Sequence, residues 1–249
     1  LSCVIALTSR ASAQDCGAAD YDCKIGVQNG KIRSDPDDAE AYYDRGMAYS
    51  HKGDYANALA DFNKYLTFSI SNKDYAADGY AQRGYTRYKL KDYNAAGADF
   101  NEAIRLNPKN KLAYFNRGLM NMSLQKWSLA VKDFDESIRL DPDEYEVYYN
   151  RGLSYRKLGL FDRAVTEYTQ YIKVNSAKIE YLADGYQGRG IAYISLGRYN
   201  DAVADLSKAI ELDPSKAASY TQRAIAYRKL GKVSLAADDE LKAKQLDEQ

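Results

Sequence analysis

Residues 111–144 read KLAYFNRGLMNMSLQKWSLAVKDFDESIRLDPDE, and their spacing decides the fold. Counting Lys111 as position 1, positions 4, 7, 8 and 11 are helix-spaced, and positions 20, 24, 27 and 28 resume that spacing after a break near position 15. Gly118 at position 8 and Ala130 at position 20 are small enough to let two helices approach closely. Asp141-Pro142 closes the stretch. The reading is a helical hairpin.

The same pattern extends in both directions. Tyr42-x-x-Arg45-Gly46 is followed by Tyr80…Arg83-Gly84, Tyr114…Arg117-Gly118, Tyr148…Arg151-Gly152, Tyr186…Arg189-Gly190 and Tyr220…Arg223-Ala224, at spacings of 38, 34, 34, 38 and 34. Twelve residues after each Gly or Ala224 stands an Ala, and four further on come Phe62, Phe100, Phe134, Tyr168, Leu206 and Glu240. Turn glycines stand at position 15 in four copies, Gly53, Gly159, Gly197 and Gly231. One hairpin cannot bury its apolar stripe alone, so the copies must stack. Gly46 and Gly152, Gly84 and Gly190, and Gly118 and Ala224 are each 106 residues apart, the mark of a duplicated three-repeat block. Both spacings of 38 follow repeats without the terminal Pro, and the four extra residues, near Ser71–Asp74 and Ala177–Glu180, predict a longer second helix or an elongated loop.

These residues resemble the tetratricopeptide repeat family, whose signature is an aromatic, then Gly, Tyr, Ala, an aromatic and Pro at fixed offsets. The resemblance covers 39–249. It implies an all-α fold, an α-solenoid forming a right-handed superhelix of six helix-turn-helix repeats (39–76, 77–110, 111–144, 145–182, 183–216, 217–249). Residues 14–38 are expected to form an N-terminal capping segment with a lone helix over 20–34. Glu240 and Lys244 replace the aromatic and aliphatic residues that elsewhere meet the next repeat, so no seventh copy is expected. Two departures from the pattern are Arg87 and Asn121, which stand where Tyr49, Tyr155, Tyr193 and Tyr227 occupy the same slot.

Arg45, Arg83, Arg117, Arg151, Arg189 and Arg223 hold position 7, while Asp61, Asp99, Asp133, Glu167, Asp205 and Asp239 hold position 23. Both positions are eight residues from the turn, about 12 Å along each axis, and so lie level in an antiparallel hairpin. They are expected to pair within each hairpin. The position-4 tyrosines are expected in the core.

The chain of 249 residues balances 35 Lys+Arg against 35 Asp+Glu. Neither a nucleic-acid binder nor a polybasic membrane-surface protein is built that way, because both need a basic excess. No run of apolar residues is long enough for a spanning helix. Residues 1–13, LSCVIALTSRASA, read as the remnant of an export signal ending in a small-x-small site, with an unrelated upstream linker as the alternative. That points to a periplasmic or secreted protein, the alternative being cytoplasmic. Cys16 and Cys23 then remain as a pair suited to a disulfide, and two thiols without a nearby His give too few ligands for a metal.

Catalysis needs a nucleophile with its base, a metal cluster or a phosphate cradle, and none is spelled out. The chain reads as a non-enzyme with no cofactor. His51, the lone histidine, falls on the groove side, and Asn121-Met122-Ser123 matches a glycosylation sequon inside a helix. What remains is the first-helix face at positions 2, 5, 6, 9, 12 and 13, concave in the family. Its candidate ligand residues are Tyr43, Asp44, Met47, Gln82, Tyr85, Tyr88, Phe115, Asn116, Leu119, Met122, Tyr149, Asn150, Leu153, Arg156, Gln187, Ile191, Gln222 and Arg228, too much apolar and aromatic surface for a purely solvated face. Position 6 carries Asp44, Gln82, Asn116, Asn150, Gly188 and Gln222. In long superhelices of the family an Asn at this position forms a ladder that holds a peptide backbone, donating to C=O and accepting from N–H. The expected function is an adaptor that holds a protein or peptide segment in the groove. A self-associating structural module, or the recognition arm of a larger complex or enzyme, is the alternative.

Overall fold

The computed structural model describes residues 16–69, 71–175 and 179–248, so the expected export segment lies outside the described residues. Among the described residues there are thirteen α-helices and no strands. The chain divides into two compact units, one up to Met120 and one from Asn121 onward.

The first unit holds α1 (Tyr21–Ser34), α2 (Ala39–Lys52), α3 (Tyr55–Ser69), α4 (Lys73–Lys89), α5 (Tyr93–Leu106) and the larger part of α6 (Lys111–Ser123). Helices α2 and α3 pack as one hairpin, α4 and α5 as the next, and α3 lies against α4. Side-chain caps open several of these helices: Asp38 accepts from Ala41 N–H at 2.9 Å, Asp92 from Ala95 N–H at 3.2 Å and Asn110 from Ala113 N–H at 3.0 Å. The second unit holds α7 (Trp127–Leu140), α8 (Tyr145–Lys157), α9 (Phe161–Val174), α10 (Ile179–Ser195), α11 (Tyr199–Leu212), α12 (Ala217–Lys229) and α13 (Val233–Asp247). Its hairpins are α8/α9, α10/α11 and α12/α13.

Each hairpin turns at position 15 through a left-handed residue. Gly53, Gly159, Gly197 and Gly231 have φ of 84°, 76°, 72° and 73°; in the two repeats without that Gly, Lys91 and Gln125 adopt φ of 64° and 56°. Packing at the close approach is equally repetitive. Ala58, Phe62, Ala96 and Phe100 in the first unit, and Ala130, Phe134, Ala164, Ala202 and Leu206 in the second, are completely buried. The aromatic at position 24 sits on the small residue at position 8, and a Cβ built on Gly84 would stand 2.8 Å from the Phe100 ring. Repeat 6 tolerates Ala224 there because its position 24 is Glu240, not an aromatic. Gly84→Ala is therefore expected to destabilise by about 1–3 kcal/mol through overpacking, more than the ~1 kcal/mol that helix propensity returns. Chemical denaturation checks the sign.

Two expectations need correction. The four extra residues do not go into the second helices, where α3 and α9 have 15 and 14 residues; they add a turn to the start of the following helix. Helices α4 and α10 have 17 residues each, against 13 or 14 in α2, α6, α8 and α12. In the first instance Asn72 starts α4 early by accepting from the N–H groups of Asp74 and Tyr75. Of the position-4 tyrosines only Tyr220 is buried core; Tyr42, Tyr80, Tyr114, Tyr148 and Tyr186 are half-buried. All six lie beside the arginine three residues on, with ring centroids 5.1–5.9 Å from its guanidinium carbon.

Those arginines pair as the register predicts. Arg45 holds Asp61 through two bonds of 2.8 and 2.6 Å, and Arg83–Asp99, Arg151–Glu167, Arg189–Asp205 and Arg223–Asp239 repeat the arrangement. The third nitrogen, Nη1, reaches back to the second helix of the preceding hairpin: Arg83 to Asn63 at 2.9 Å, Arg117 to Asn101 at 2.6 Å, Arg151 to Asp135 at 2.6 Å, Arg189 to Thr169 at 3.1 Å and Arg223 to Ser207 at 2.9 Å. One side chain thus closes a hairpin and fastens it to its neighbour. Arg45 makes the same reach to Asn29 of α1, at 2.7 Å, so α1 stands where a preceding second helix would. Helix α1 is further held by Lys52–Asp22 at 2.5 Å and by the stacking of Tyr21 on His51 at 5.6 Å. Cys16 is bridged to Cys23 in its first turn, with Cα atoms 5.7 Å apart.

The two departures at position 11 serve the same carboxylates. Arg87 pairs with Asp99 at 2.8 Å, and Asn121 donates to Asp133 at 2.9 Å. Asn121, the sequon residue, is buried by that bond.

Candidate functional site

In the first unit the first-helix face is built around Tyr43. Its ring meets Phe62 edge-on at 5.9 Å and Tyr65 at 5.0 Å, and Tyr65 in turn donates its hydroxyl to the Tyr75 carbonyl at 3.1 Å. Tyr85 and Tyr88 lie 6.4 Å apart further along the face, with Lys89 at the rim over Tyr55 and Tyr85. Met47, Gln82, Phe115 and Leu119 are half-buried, while Asn116 is only 4% exposed. Asp44 accepts from Gln28 of α1 at 3.2 Å, and Asp78 accepts from Asn110 at 2.9 Å.

The second unit repeats the aromatic arrangement 106 residues on. Tyr149 meets Tyr168 edge-on at 5.7 Å and Tyr171 at 5.3 Å. Leu153, Gln187, Ile191 and Gln222 are half-buried on the same series of helices, as is Met122, and Gln187 donates to Ser219 at 3.0 Å. The Asn150 amide donates to the Glu146 carbonyl of its own helix at 2.9 Å. Gly188 holds the amide position of repeat 5 because a Cβ there would stand 2.6 Å from the Tyr168 ring. Arg228 turns to Glu240 of α13 through two bonds of 2.7 Å. Arg156 acts on the hydroxyls of Tyr149 and Tyr168, and its Nε is buried without a hydrogen-bond partner.

The electrostatics follow from partial desolvation. Burial pushes the Tyr168 hydroxyl up to about 12 against the pull of Arg156, and it raises Tyr43 and Tyr149 as well, helped by Asp78 and Asp184 respectively. These tyrosines stay neutral at physiological pH; Tyr168 is buried, and the half-buried Tyr43 and Tyr149 offer hydroxyl donors and ring edges. Desolvation also raises the carboxyls of Asp44, Asp78 and Glu146. A carboxyl whose pKa is raised on folding costs stability above that pKa and costs nothing once protonated. Asp78→Asn is therefore expected to raise the melting temperature at pH 7, and the advantage should disappear as pH falls through the carboxylate range. A set of melts against pH decides it.

Among the described residues no group of three or more His, Cys, Asp or Glu is placed to hold a metal ion, and no helix is long and apolar enough to cross a membrane. Stacked helical hairpins with an aromatic face on their first helices define a helical-repeat protein of the all-α solenoid class. Profiles of that class match much of the sequence: one described as TPR repeat covers residues 118–159 and 190–231, and three described as Tetratricopeptide repeat cover 32–60, 77–110 and 145–178. The chain belongs to the tetratricopeptide repeat family.

Solved structures agree on the fold. MamA from Desulfovibrio magneticus is 19% identical, with 71% of this chain and 96% of that one covered at a TM-score of 0.64. YrrB, a TPR protein with an unusual peptide-binding site, is 21% identical over 78% of this chain and 96% of its own, at 0.62. A tetratricopeptide repeat protein from Parabacteroides merdae is 20% identical over 91% and 87%, at 0.63. No curated protein matches the sequence significantly.

Proposed function

We propose that this protein is an interaction module that holds an extended protein or peptide segment against its first-helix face, serving as an adaptor and not as an enzyme. The observation that carries the reading is the pair of half-buried rings Tyr43 and Tyr149, at equivalent places in the two units and fixed from behind by the buried rings Phe62 and Tyr65 and by Tyr168 and Tyr171. Each places ring edges, a hydroxyl and a neighbouring carboxylate on one face, a combination that binds apolar side chains while satisfying a peptide backbone. The position-6 ladder has a narrower basis than the sequence suggests. Asp44, Gln82 and Asn150 engage internal partners, Asn116 is buried, and Gly188 supplies no rung. The bridge between Cys16 and Cys23 supports an oxidising compartment such as the periplasm or the cell exterior.

Peptides selected by the intact protein from a randomised displayed library test the reading. Tyr85→Ser and Ile191→Ser, on the first-helix face, should weaken the selected peptides about tenfold or more. Leu129→Ser, on a second helix, should leave them unchanged. The reverse order of effects would move the site to another surface. Intact mass before and after reduction, on protein recovered from the cell envelope, reads the cysteine pair; free thiols there would reject the oxidising setting.

A further inference from the structure

The two copies of the aromatic wall differ in the charge placed around one equivalent carboxylate. Asp78 and Asp184 are equivalent, 106 residues apart, and act on the equivalent rings Tyr43 and Tyr149. In the second unit Asp184 is neutralised from within: the Lys216 ammonium pairs with it, and Arg156 also acts on Tyr149. The first unit has Asn110 in place of Lys216 and Ser50 in place of Arg156, both neutral, and the acidic Asp44 in place of Asn150. Each of these three substitutions removes a positive charge or adds a negative one, whereas Lys31 and Lys89, opposite Ser137 and Ser195, add positive charge at Asp44 and over Tyr55 and Tyr85.

Asn110 occupies the same place on Asp78 that Lys216 takes on Asp184, and donates to it at 2.9 Å. An amide satisfies a hydrogen bond there without cancelling the charge. The charged neighbour acting on Asp78 is another carboxylate, Asp74. Of the nearby cations, Lys31 acts on Asp44, and Lys89 lies over Tyr55 and Tyr85. Asp78 is partly desolvated yet keeps an exposed face, so an incoming group can reach it.

Resting on the groove reading above, we infer that the first unit contains a subsite for a basic side chain, Lys or Arg, of the bound segment, its cationic head on Asp78 and its stem along Tyr43. The aromatic ring attracts a cation electrostatically and covers the apolar stem of a long side chain, and the carboxylate supplies a charge-assisted bond. The second unit's copy of this subsite is already filled by Lys216.

The probe is a peptide selected by the intact protein from the randomised library, paired with a twin in which its Lys or Arg is replaced by norleucine. Selected peptides should share a basic residue at one aligned position. The twin should bind the wild type about tenfold or more weakly, and Asp78→Asn should erase the difference between twin and parent. Lys216→Asn should create a second basic preference by exposing Asp184, in a variant that also gains a helix-capping side chain. Thermal melts confirm that each variant is folded. Selected peptides without a basic consensus, yet weakened by Ile191→Ser, would overturn the subsite and leave the groove reading standing. Peptides indifferent to both Asp78→Asn and the groove substitutions would overturn both, as would a failure of the wild type to select any peptide.

Discussion

Replacing Arg45 by Leu is expected to destabilise the protein by about 3–5 kcal/mol, because it strands the Asp61 carboxylate, 3% exposed, without its cation. The same change cuts the bond to Asn29 and so loosens α1 from the first hairpin. Arg83→Leu is expected to cost less, since Arg87 also reaches Asp99 and keeps that carboxylate paired. Removing both charges, Arg45→Leu with Asp61→Leu, should recover most of the loss, as apolar pairs of similar volume commonly do. Urea titrations of the four proteins supply the comparison. Equal losses for Arg45→Leu and Arg83→Leu would show that Arg87 contributes nothing to holding Asp99.

Phe62→Ala is expected to cost about 3–5 kcal/mol as well, through lost burial and the cavity left behind. The ring is fully buried, stands 3.0 Å from where a Cβ on Gly46 would lie, and forms the wall on which Tyr43 rests. Peptide binding at the first unit should therefore fall along with stability, whereas Phe100→Ala, equally buried, should destabilise without removing a wall from Tyr43. A loss below about 1 kcal/mol for Phe62→Ala would mean the hairpin collapses around the gap at little cost.

The hairpins were legible because close helix contact leaves few letters to choose from. Gly or Ala at position 8 and Ala at position 20 recur for steric reasons, and Arg at 7 with Asp or Glu at 23 recurs because a buried carboxylate needs a fixed partner. The reach of the same arginines to position 25 was hidden, since Asn63, Asn101, Asp135, Thr169 and Ser207 share only the ability to accept a hydrogen bond. Chemistry was kept there while letters changed. The extra turn in α4 and α10 was misplaced for a related reason: an insertion between two helices carries no mark of which one it joins, and Asn72 is recognised as the cap only once the N–H groups it accepts from are seen. At the candidate site the aromatic positions could be read from spacing, but the geometry of Tyr43 on Tyr65, and the bond that turns Asn150 back on Glu146, depend on rotamers that the sequence does not encode locally.

The central claim is that a segment lies on the first helices, and photo-crosslinking tests it most directly. A library-selected peptide carrying a benzophenone side chain, irradiated with the intact protein and mapped by mass spectrometry, should attach to first-helix residues such as Tyr43, Tyr85, Leu153 and Ile191. Attachment confined to outward residues of the second helices, such as Asn57, Asn94 and Arg163, would contradict the account.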